Sequence, residues 1–342
     1  MKKSKLAKIF GGVMALTMTL TGCGSSGTST GSDPGSADSA AAASGTKKIG
    51  VIQYAPHPSL DNCYQGIEEG LKASSLEFTI DLQNAQGSTE TADQLAKNMV
   101  ANKYDMIFAI ATPAAVSAYS AAKDSDIPVI FCSVSDPVQA GLTESFDKGL
   151  ENCVGTSDVL NFDEQVKLIK AMQPDVKKIG VLYTNTEANS ISQLKTFKEV
   201  CGGQGIEVVD QSVSGAADIP QAAADLASKV DCINNFTDNN VVNNLNVLLE
   251  KANAAGVPVY GSEVEQVKNG CIASMSIDYV ELGKKTAEMG VEVFGGKKCS
   301  DMGVMIFSEC TPVVNTEVIE SFGITLPEAY SDAEKVTTNK DD

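Results

Sequence analysis

Polar side chains follow one short apolar run after another in this sequence, and their chemistry suits the binding of a small molecule. In chain order they are Tyr54, His57, Thr112, Ser133, Ser135, Asn185, Asn189, Ser190, Asp238 and Glu263. Hydroxyl, amide and imidazole groups exchange hydrogen bonds, and carboxylates attract cations. All 26 basic residues are lysines, so no guanidinium can bind a carboxylate or phosphate through two parallel hydrogen bonds. An anionic ligand group would have to contact hydroxyls, lysines or the free amides of helix N-termini.

The same residue types argue against an enzyme. The single histidine is His57, and no serine is identifiable as a nucleophile for it. No predicted strand is followed by a G-x-S-x-G elbow, a P-loop or a dinucleotide-binding G-x-G-x-x-G. One histidine and the absence of C-x-x-C spacing also disfavour a metal site. We therefore expect a binding protein with no catalytic residue, no cofactor and no metal.

Short apolar runs alternate with segments of helical periodicity from Lys47 onward. The runs KIGVIQY, DMIFAIA and PVIFCSV and the segment around Phe78 are predicted strands, and residues 60–74, 89–102 and 113–123 are predicted helices. Strands that are apolar throughout are typical of parallel sheets buried on both faces. The pattern predicts an α/β fold with doubly wound parallel sheets.

The same elements then occur a second time. Residues 47–52 (KKIGVI) match 177–182 (KKIGVL), residues 105–107 match 231–233, and residues 127–130 match 257–260, at offsets of 130, 126 and 130. Three matches in the same order predict two lobes of one topology. Open α/β sheets bind ligands beyond the C-terminal ends of their strands, so we expect a ligand cleft between the two lobes.

Equivalent positions at the predicted cleft differ in charge between the two halves. Thr112 in the first half corresponds to Asp238 in the second, and Ser133 corresponds to the Ser262-Glu263 pair. Hydroxyls and helix amides on one side and carboxylates on the other would complement a zwitterionic amino acid. Two alternatives remain: each residue is an ordinary helix cap, or the ligand is a neutral sugar or nucleoside.

The first loop of each half supplies further candidates. Tyr54 and His57 follow the first strand, and Asn185, Asn189 and Ser190 follow its counterpart. His57 lies between two prolines and could equally be a surface loop residue. The segment QNAQG (83–87) is a weaker candidate, since such clusters are common in turns.

The N-terminus resembles a bacterial lipoprotein leader. Four lysines precede an apolar stretch from Ile9 to Leu20, which is too short to span a bilayer, and small residues lead to Cys23. We expect cleavage after residue 22 and a lipid, such as palmitate, on Cys23, which would anchor the protein to the outer face of the cell membrane. The alternative is a plain secretory leader. Residues 24–46 form a Gly/Ser/Ala-rich linker without large apolar side chains.

Amino-acid composition limits which partners the part of the chain after this linker can bind. The formal net charge is −18, and loss of residues 1–22 with their four lysines brings it to −22. Such a surface repels phosphate backbones, so we expect no nucleic acid. Eight cysteines remain besides Cys23, and several lie in apolar runs that suit buried free thiols better than disulfides.

Several segments resemble one family of ABC-transporter solute-binding lipoproteins, named for binding tryptophan and tyrosine. They are IGVIQ with HPSLD (49–53 and 57–61), FAIATPA (108–114), SDPV with GL (135–138 and 141–142), Tyr183 with EANS (187–190), TDN (237–239) and IDY (277–279). The resemblance extends over about residues 47–330 and implies a type I periplasmic-binding fold. It implies a monomeric receptor that closes on an aromatic amino acid and delivers it to a permease and its ATPase. A receptor for a nucleoside or sugar, or a sensor subunit, is the alternative.

The resemblance also implies two lobes joined by three crossing strands. The N-terminal lobe would comprise residues 47–156 and 280–307, and the C-terminal lobe residues 157–279 and 308–336, with 337–342 as a flexible tail. An aromatic ligand calls for ring-stacking side chains, for which Tyr54, Tyr183 and Phe236 are candidates, although core packing explains each of them equally well.

Overall fold

The computed structural model describes residues 45–307 and 309–339. The predicted leader, Cys23 and almost all of the predicted linker lie outside this part. Within it, no helix has both the length and the apolar character needed to cross a membrane.

The chain alternates strands and helices from its first described element to its last. Up to the first crossing between lobes the elements are β1 (Lys47–Gln53), α1 (Pro58–Ala73), β2 (Phe78–Asn84), α2 (Thr89–Ala101), β3 (Met106–Ile110), α3 (Thr112–Ala122), β4 (Val129–Cys132), β5 (Thr143–Ser145), β6 (Lys148–Gly149) and β7 (Cys153–Ser157). The strands and helices predicted from the first half of the sequence are therefore confirmed.

The second half repeats the alternation and ends in a mixed segment. Its elements are α4 (Phe162–Met172), β8 (Lys178–Thr184), α5 (Ala188–Gly203), β9 (Glu207–Val213), α6 (Ile219–Ala227), β10 (Cys232–Asn234), α7 (Asn239–Asn243), α8 (Leu245–Ala254), β11 (Val259–Tyr260), α9 (Val264–Lys268), β12 (Ala273–Ser276), α10 (Tyr279–Phe294), β13 (Met305–Ile306), β14 (Thr311–Asn315), α11 (Thr316–Ser321) and β15 (Glu334–Val336).

Both lobes are built on parallel sheets of the same strand order. The first sheet runs β2-β1-β3-β4-β7-β13, with every neighbouring pair parallel. The second begins β9-β8-β10-β11, also parallel. The strands matched by offset, β1 with β8, β3 with β10 and β4 with β11, hold equivalent positions in the two orders. The predicted repeat of one topology is therefore confirmed.

The second sheet continues past β11 through backbone hydrogen bonds. The Ile272 amide donates to Val259 O at 2.7 Å, and the Gly261 amide donates to Ala273 O at 2.9 Å. β14 then pairs antiparallel with β12, and β15 pairs parallel with β14. β5 and β6 form a separate antiparallel hairpin.

Each lobe has its own apolar core, and the chain passes between the lobes three times. The first core gathers residues from Ile49 to Val154 and again from Ile277 to Val304, whereas the second lobe's two clusters lie between Phe162 and Ala333. The crossings fall after β7, after β12 and after β13. Ile277 and Tyr279, which precede the predicted boundary at residue 280, pack in the first core.

Two glycines let α10 lie directly on α1. A Cβ atom on Gly66 would collide with the carbonyl oxygen of Val280, and one on Gly283 would collide with that of Cys63. The backbones approach here more closely than any side chain permits. This contact fixes α10 to the first lobe immediately after the second crossing.

The last described residues lie against the second lobe instead of beginning a flexible tail. The Asn339 amide donates to Lys268 O at 2.7 Å, and the Thr338 amide donates to Glu317 Oε2 at 3.2 Å. Residues 340–342 lie outside the described part. All eight cysteines from Cys63 onward are free thiols, seven of them buried, as the apolar runs around several of them favour.

Candidate functional site

A cavity lies where the strand ends of both lobes meet. Its lining includes six of the ten predicted residues: His57, Thr112, Ser133, Ser135, Asn189 and Glu263. The first four come from the first lobe and the last two from the second. The prediction that strand ends of both lobes share a gap therefore agrees with the geometry for these six.

The other four predicted residues, Tyr54, Asn185, Ser190 and Asp238, do not line this cavity. The Tyr54 hydroxyl donates to Gly87 O at 3.0 Å, at a second cavity near the outer rim of the cleft. Asn185 is exposed and its side chain reaches only Ser214. The Ser190 hydroxyl is buried and donates to Asp238 Oδ2 at 2.7 Å.

The Asp238 carboxylate is occupied within its own lobe. Oδ2 accepts from the Thr184 amide at 2.6 Å as well as from Ser190. Oδ1 accepts from the Thr184 hydroxyl at 2.8 Å and from the Val241 amide at 2.9 Å, which caps α7. Four hydrogen bonds leave this carboxylate no free face toward the cavity. Asp238 joins β8, α5 and α7, which is a structural role.

The three aromatic residues expected to stack on a ligand ring do not line the cavity either. Phe236 packs in the core with Phe162 and Phe197, at ring centroid distances of 5.4 Å from each. Tyr183 is half-buried beside the same cluster. Core packing, the alternative explanation, accounts for Phe236. The rings in the lining are those of Tyr279 and His57.

The lining contains polar residues that sequence reasoning did not select: Ser59, Asp158, Thr237, Asn239, Gln266 and Tyr279. Most lie within segments that carried the family resemblance, but no site role was assigned to them. Asp158 directly follows β7, and an acidic residue at the end of a parallel strand was the signal that could have found it.

Where the first lobe lines the cavity, its backbone is strained and amides at the start of α3 have no described partner. Ala111 has φ 79° and ψ 153°, and Ser133 has φ 57°, which are conformations that favour glycine. The first hydrogen-bonded amide of α3 is that of Ala115, which donates to Ala111 O at 3.0 Å. The amides of Thr112 and Ala114 therefore have no partner among the described residues. Free amides at a helix N-terminus attract an anion.

Two buried carboxylates face the same cavity. Asp158 accepts hydrogen bonds from Ser133 at 2.8 Å, Ser135 at 3.2 Å and Tyr279 at 3.2 Å. Burial raises the pKa of Asp158, and these hydroxyls oppose the rise. Burial also raises the pKa of Glu263 to about 7, although the Glu265 amide bonds its carboxylate.

No lysine is among the residues described as lining the cavity. Buried carboxylates are normally paired with a cation. The lining therefore lacks the positive charge that these two acids require.

Three buried polar atoms in the lining have no hydrogen-bond partner in the described part of the chain. They are His57 Nδ1, Thr112 Oγ1 and Asn189 Oδ1. Most buried polar side-chain atoms in proteins are hydrogen-bonded. Three such atoms in one cavity are available to a polar ligand.

The two lobes touch each other around this cavity. The Ser192 hydroxyl of α5 donates to Asp136 Oδ2 at 2.7 Å, and Gln193 Nε2 donates to Ser135 Oγ at 2.9 Å. On the opposite side Asn62 Nδ2 lies 3.4 Å from Glu265 Oε1. These contacts close the cleft over the cavity.

Two similar α/β lobes, three crossings and an enclosed polar cavity define a two-lobed solute-binding protein. The family model for ABC transporter substrate-binding proteins matches residues 48–337. The chain belongs to this family, which comprises extracytoplasmic solute-binding proteins and not enzymes.

Two similar proteins, each described with an aromatic amino acid as its ligand, agree with this assignment. A tyrosine-binding protein of Clostridioides difficile (strain R20291) is 36% identical over 327 residues, covering 94% of this chain and 93% of the relative. The crystal structure of an ABC domain of Streptococcus pneumonia in complex with L-Trp has a TM-score of 0.82 at 35% identity, covering 85% of this chain and all of that one.

A ligand-free, open substrate-binding protein with adhesive properties from Clostridium difficile gives a lower TM-score. The value is 0.66 at 34% identity, covering 86% of this chain and 100% of that chain. Identity and coverage are nearly the same as for the L-Trp complex, so sequence divergence does not explain the difference. The lobe arrangement described here is nearer that of the ligand-bound relative, in agreement with the contacts that close the cleft.

Proposed function

We propose that this protein captures an aromatic amino acid, such as tryptophan, tyrosine or phenylalanine, by closing its two lobes, and delivers it to the permease of an ABC importer. One observation carries the proposal: a closed cavity that combines unpartnered polar atoms and free helix amides with two buried carboxylates and no described lysine. A zwitterion supplies an anion for the amides and a cation for the acids.

The ligand carboxylate would contact the start of α3. Thr112 Oγ1 is unpartnered and buried there, and the amides of Thr112 and Ala114 are free. The positive end of the helix dipole adds to their attraction. With no arginine in the chain, this is the arrangement by which the first lobe would hold a carboxylate.

The ligand ammonium would contact Asp158 and Glu263. Both side chains are 1% exposed, and each interacts with neighbouring hydroxyl or amide groups but with no described cation. An ammonium group in the cavity would remove the cost of burying these charges. A neutral sugar or nucleoside would leave that cost in place.

The aromatic side chain of the ligand would lie against the apolar part of the lining. Leu60, Val242 and Ala111 provide apolar surface, and the rings of Tyr279 and His57 lie in the same lining. Offset or edge contacts between rings stabilise such an arrangement. The tyrosine and L-Trp ligands of the relatives favour the same class.

Isothermal titration of the purified body with L-amino acids, adenosine, ribose and myo-inositol tests the proposal. The chain contains no tryptophan, so a bound tryptophan can also be followed by its own fluorescence. At about a thousand times its dissociation constant, a ligand stabilises the fold by about 4 kcal/mol, which a thermal-shift assay detects. Binding of adenosine or a sugar without binding of any aromatic amino acid would refute the proposal.

We further infer that Cys23 carries the lipid anchor. The basic and apolar residues before it and the Gly/Ser/Ala-rich segment after it support this assignment. Metabolic labelling with palmitate should mark the wild-type chain and not Cys23→Ala, and the variant should appear in the culture medium. A labelled Cys23→Ala protein would contradict the inference.

Deletion of the gene distinguishes a transport role from a sensor role. Loss of amino-acid uptake in the deletion strain would support transport.

A further inference from the structure

His57 combines a contact across the cleft with an unsatisfied ring nitrogen. It precedes α1 and makes no side-chain cap to that helix. Its Nε2 lies 3.5 Å from Asn239 Oδ1 of the second lobe, and its Nδ1 is buried without a partner. The role of Nδ1 depends on which of the two nitrogens carries hydrogen.

The hydrogen bonds of Asn239 show which nitrogen of His57 carries the hydrogen. Asn239 Nδ2 donates to Glu187 Oε2 at 2.7 Å, and the Asn239 amide donates to the same oxygen at 3.1 Å. Because Nδ2 is committed to a carboxylate, Oδ1 is the atom turned toward His57. An amide oxygen only accepts, so His57 Nε2 carries the hydrogen.

His57 Nδ1 is therefore an acceptor. Burial lowers the pKa of His57 to about 4, so the ring is neutral at pH 7 and carries one hydrogen. With that hydrogen on Nε2, Nδ1 holds a lone pair without a partner, on a residue that lines the cavity. Only a donor can satisfy it.

Asn189 presents a second acceptor from the opposite lobe. Its Nδ2 donates to Glu187 Oε2 at 3.0 Å and lies 3.3 Å from Thr237 O, while its Oδ1 is buried and unpartnered. Both Asn189 and Asn239 are oriented by the same carboxylate of Glu187. This end of the cavity thus offers acceptors from both lobes and requires donors from the ligand.

Asp158 lies at the other end. Along the first sheet, Asp158 follows β7 and His57 follows β1, with β4 and β3 between them. Neighbouring strands are about 4.8 Å apart, so an ammonium group bound to Asp158 would not also reach His57.

We propose that the ring N–H or O–H of the bound aromatic amino acid donates to His57 Nδ1, so that the site selects tryptophan and tyrosine over phenylalanine. This inference rests on the amino-acid ligand proposed above and adds its orientation, with the ammonium toward Asp158 and the ring toward His57. A site with a buried acceptor disfavours a ligand that brings no donor, because the acceptor then stays unpaired.

Titration calorimetry with two matched ligand pairs tests the inference. L-Tyrosine differs from L-phenylalanine by the ring hydroxyl, and L-tryptophan differs from 3-benzothienyl-L-alanine by the ring N–H, with little change in shape. The donor-bearing member of each pair should bind the wild-type protein ten- to a hundredfold more tightly. Equal affinities within both pairs would overturn the inference while leaving the amino-acid function intact.

Two variants connect the selectivity to His57 itself. His57→Leu removes the acceptor, and both affinity ratios should fall toward one. His57→Gln retains an oxygen acceptor and should keep part of each ratio. Unchanged ratios in His57→Leu would overturn the assignment to Nδ1. Failure of all four ligands to bind the wild-type protein would remove the proposed function, and this inference with it.

Discussion

The two lobes share one topology but use equivalent positions in opposite ways. At the start of α3, Thr112 Oγ1 has no partner and no side chain caps the helix. At the equivalent start of α7, Asp238 accepts four hydrogen bonds within its own lobe. The first lobe leaves its helix N-terminus open to the cavity, whereas the second closes the matching terminus with its own carboxylate.

The two lobes also differ in backbone strain. The described non-glycine residues with positive φ are Gln86, Lys103, Ala111 and Ser133, all in the first lobe. Ala111 and Ser133 line the cavity, at the ends of neighbouring strands β3 and β4. Conformations of this kind cost about 1–3 kcal/mol each and concentrate at binding sites. The repeated architecture thus leaves one copy of a position open to the cavity and uses the other copy for hydrogen bonds within its own lobe.

The largest effect that tests this contrast is on stability. Asp238→Ala would leave the buried amides of Thr184 and Val241 without acceptors. We expect the free energy of unfolding of the second lobe to fall by about 3–5 kcal/mol, measured by urea denaturation. Thr112→Ala, the equivalent change in the first lobe, should cost about 1 kcal/mol or less. An Asp238→Ala protein with wild-type stability would break the comparison.

The second prediction concerns pH and the carboxyls of the second lobe. Burial raises the pKa of Glu263 from 4.5 to about 7 and also raises that of Glu187, where nearby Asp238 adds to the effect. We expect opening of the cleft to expose Glu263, which lines the cavity. Its raised pKa then stabilises the closed form below about pH 4.5, and this stabilisation is lost as pH rises through about 7. For Glu263 the change amounts to about 3 kcal/mol.

Small-angle scattering of the ligand-free protein measures this effect. The radius of gyration should increase between pH 5 and pH 8 as the closed fraction falls. Glu263→Gln, which cannot ionise, should flatten the profile. A radius that stays constant in the wild type over this range would show that closure does not depend on these carboxyls.

The third prediction is a loss of affinity without a loss of stability. Thr112→Val keeps the shape of the side chain but removes the hydroxyl proposed to contact the ligand carboxylate. We expect the affinity for the amino acid to fall ten- to a hundredfold by calorimetry. Thr184→Val is the matched control, because Thr184 bonds Asp238 and should lose stability but keep affinity. The reverse pattern would exchange the roles of the two lobes.

The smallest expected effect concerns the contacts that hold the lobes together. Ser192→Ala removes the 2.7 Å hydrogen bond to Asp136 and should favour the open form by about 1 kcal/mol, so ligand affinity should fall about fivefold. Thr196→Ala, on the same helix but bonded only to Ser192 O, is the control. Equal affinities of the two variants would show that the Ser192 contact adds nothing to closure.

Local pattern was enough to predict the fold, because buried parallel strands must be apolar along their whole length. The runs at β1, β3 and β4 and their repeats at β8, β10 and β11 carry that signal. β15 is short and largely exposed, so its sequence contains no comparable apolar run. Proximity to strand ends also identified His57, Thr112 and Glu263, since topology alone brings such residues to one edge.

Which carboxylate lines the cavity could not be predicted from position along the chain. Asp238 and Asp158 both follow sheet strands, yet one caps α7 and the other lines the cavity. The difference depends on partners far away in sequence, namely Thr184 for Asp238 and Tyr279 for Asp158.

By itself, the sequence determined the repeated α/β topology, the absence of arginine and the acidic balance that together restrict the ligand. The tertiary structure alone decided which polar atoms stay unpartnered once the lobes close. The physical reason is that a hydrogen bond is satisfied by geometry in three dimensions. Asn239 Nδ2 donates to Glu187, 52 residues away in sequence, and this bond leaves Asn239 Oδ1 facing Nε2 of His57, which is 182 residues away.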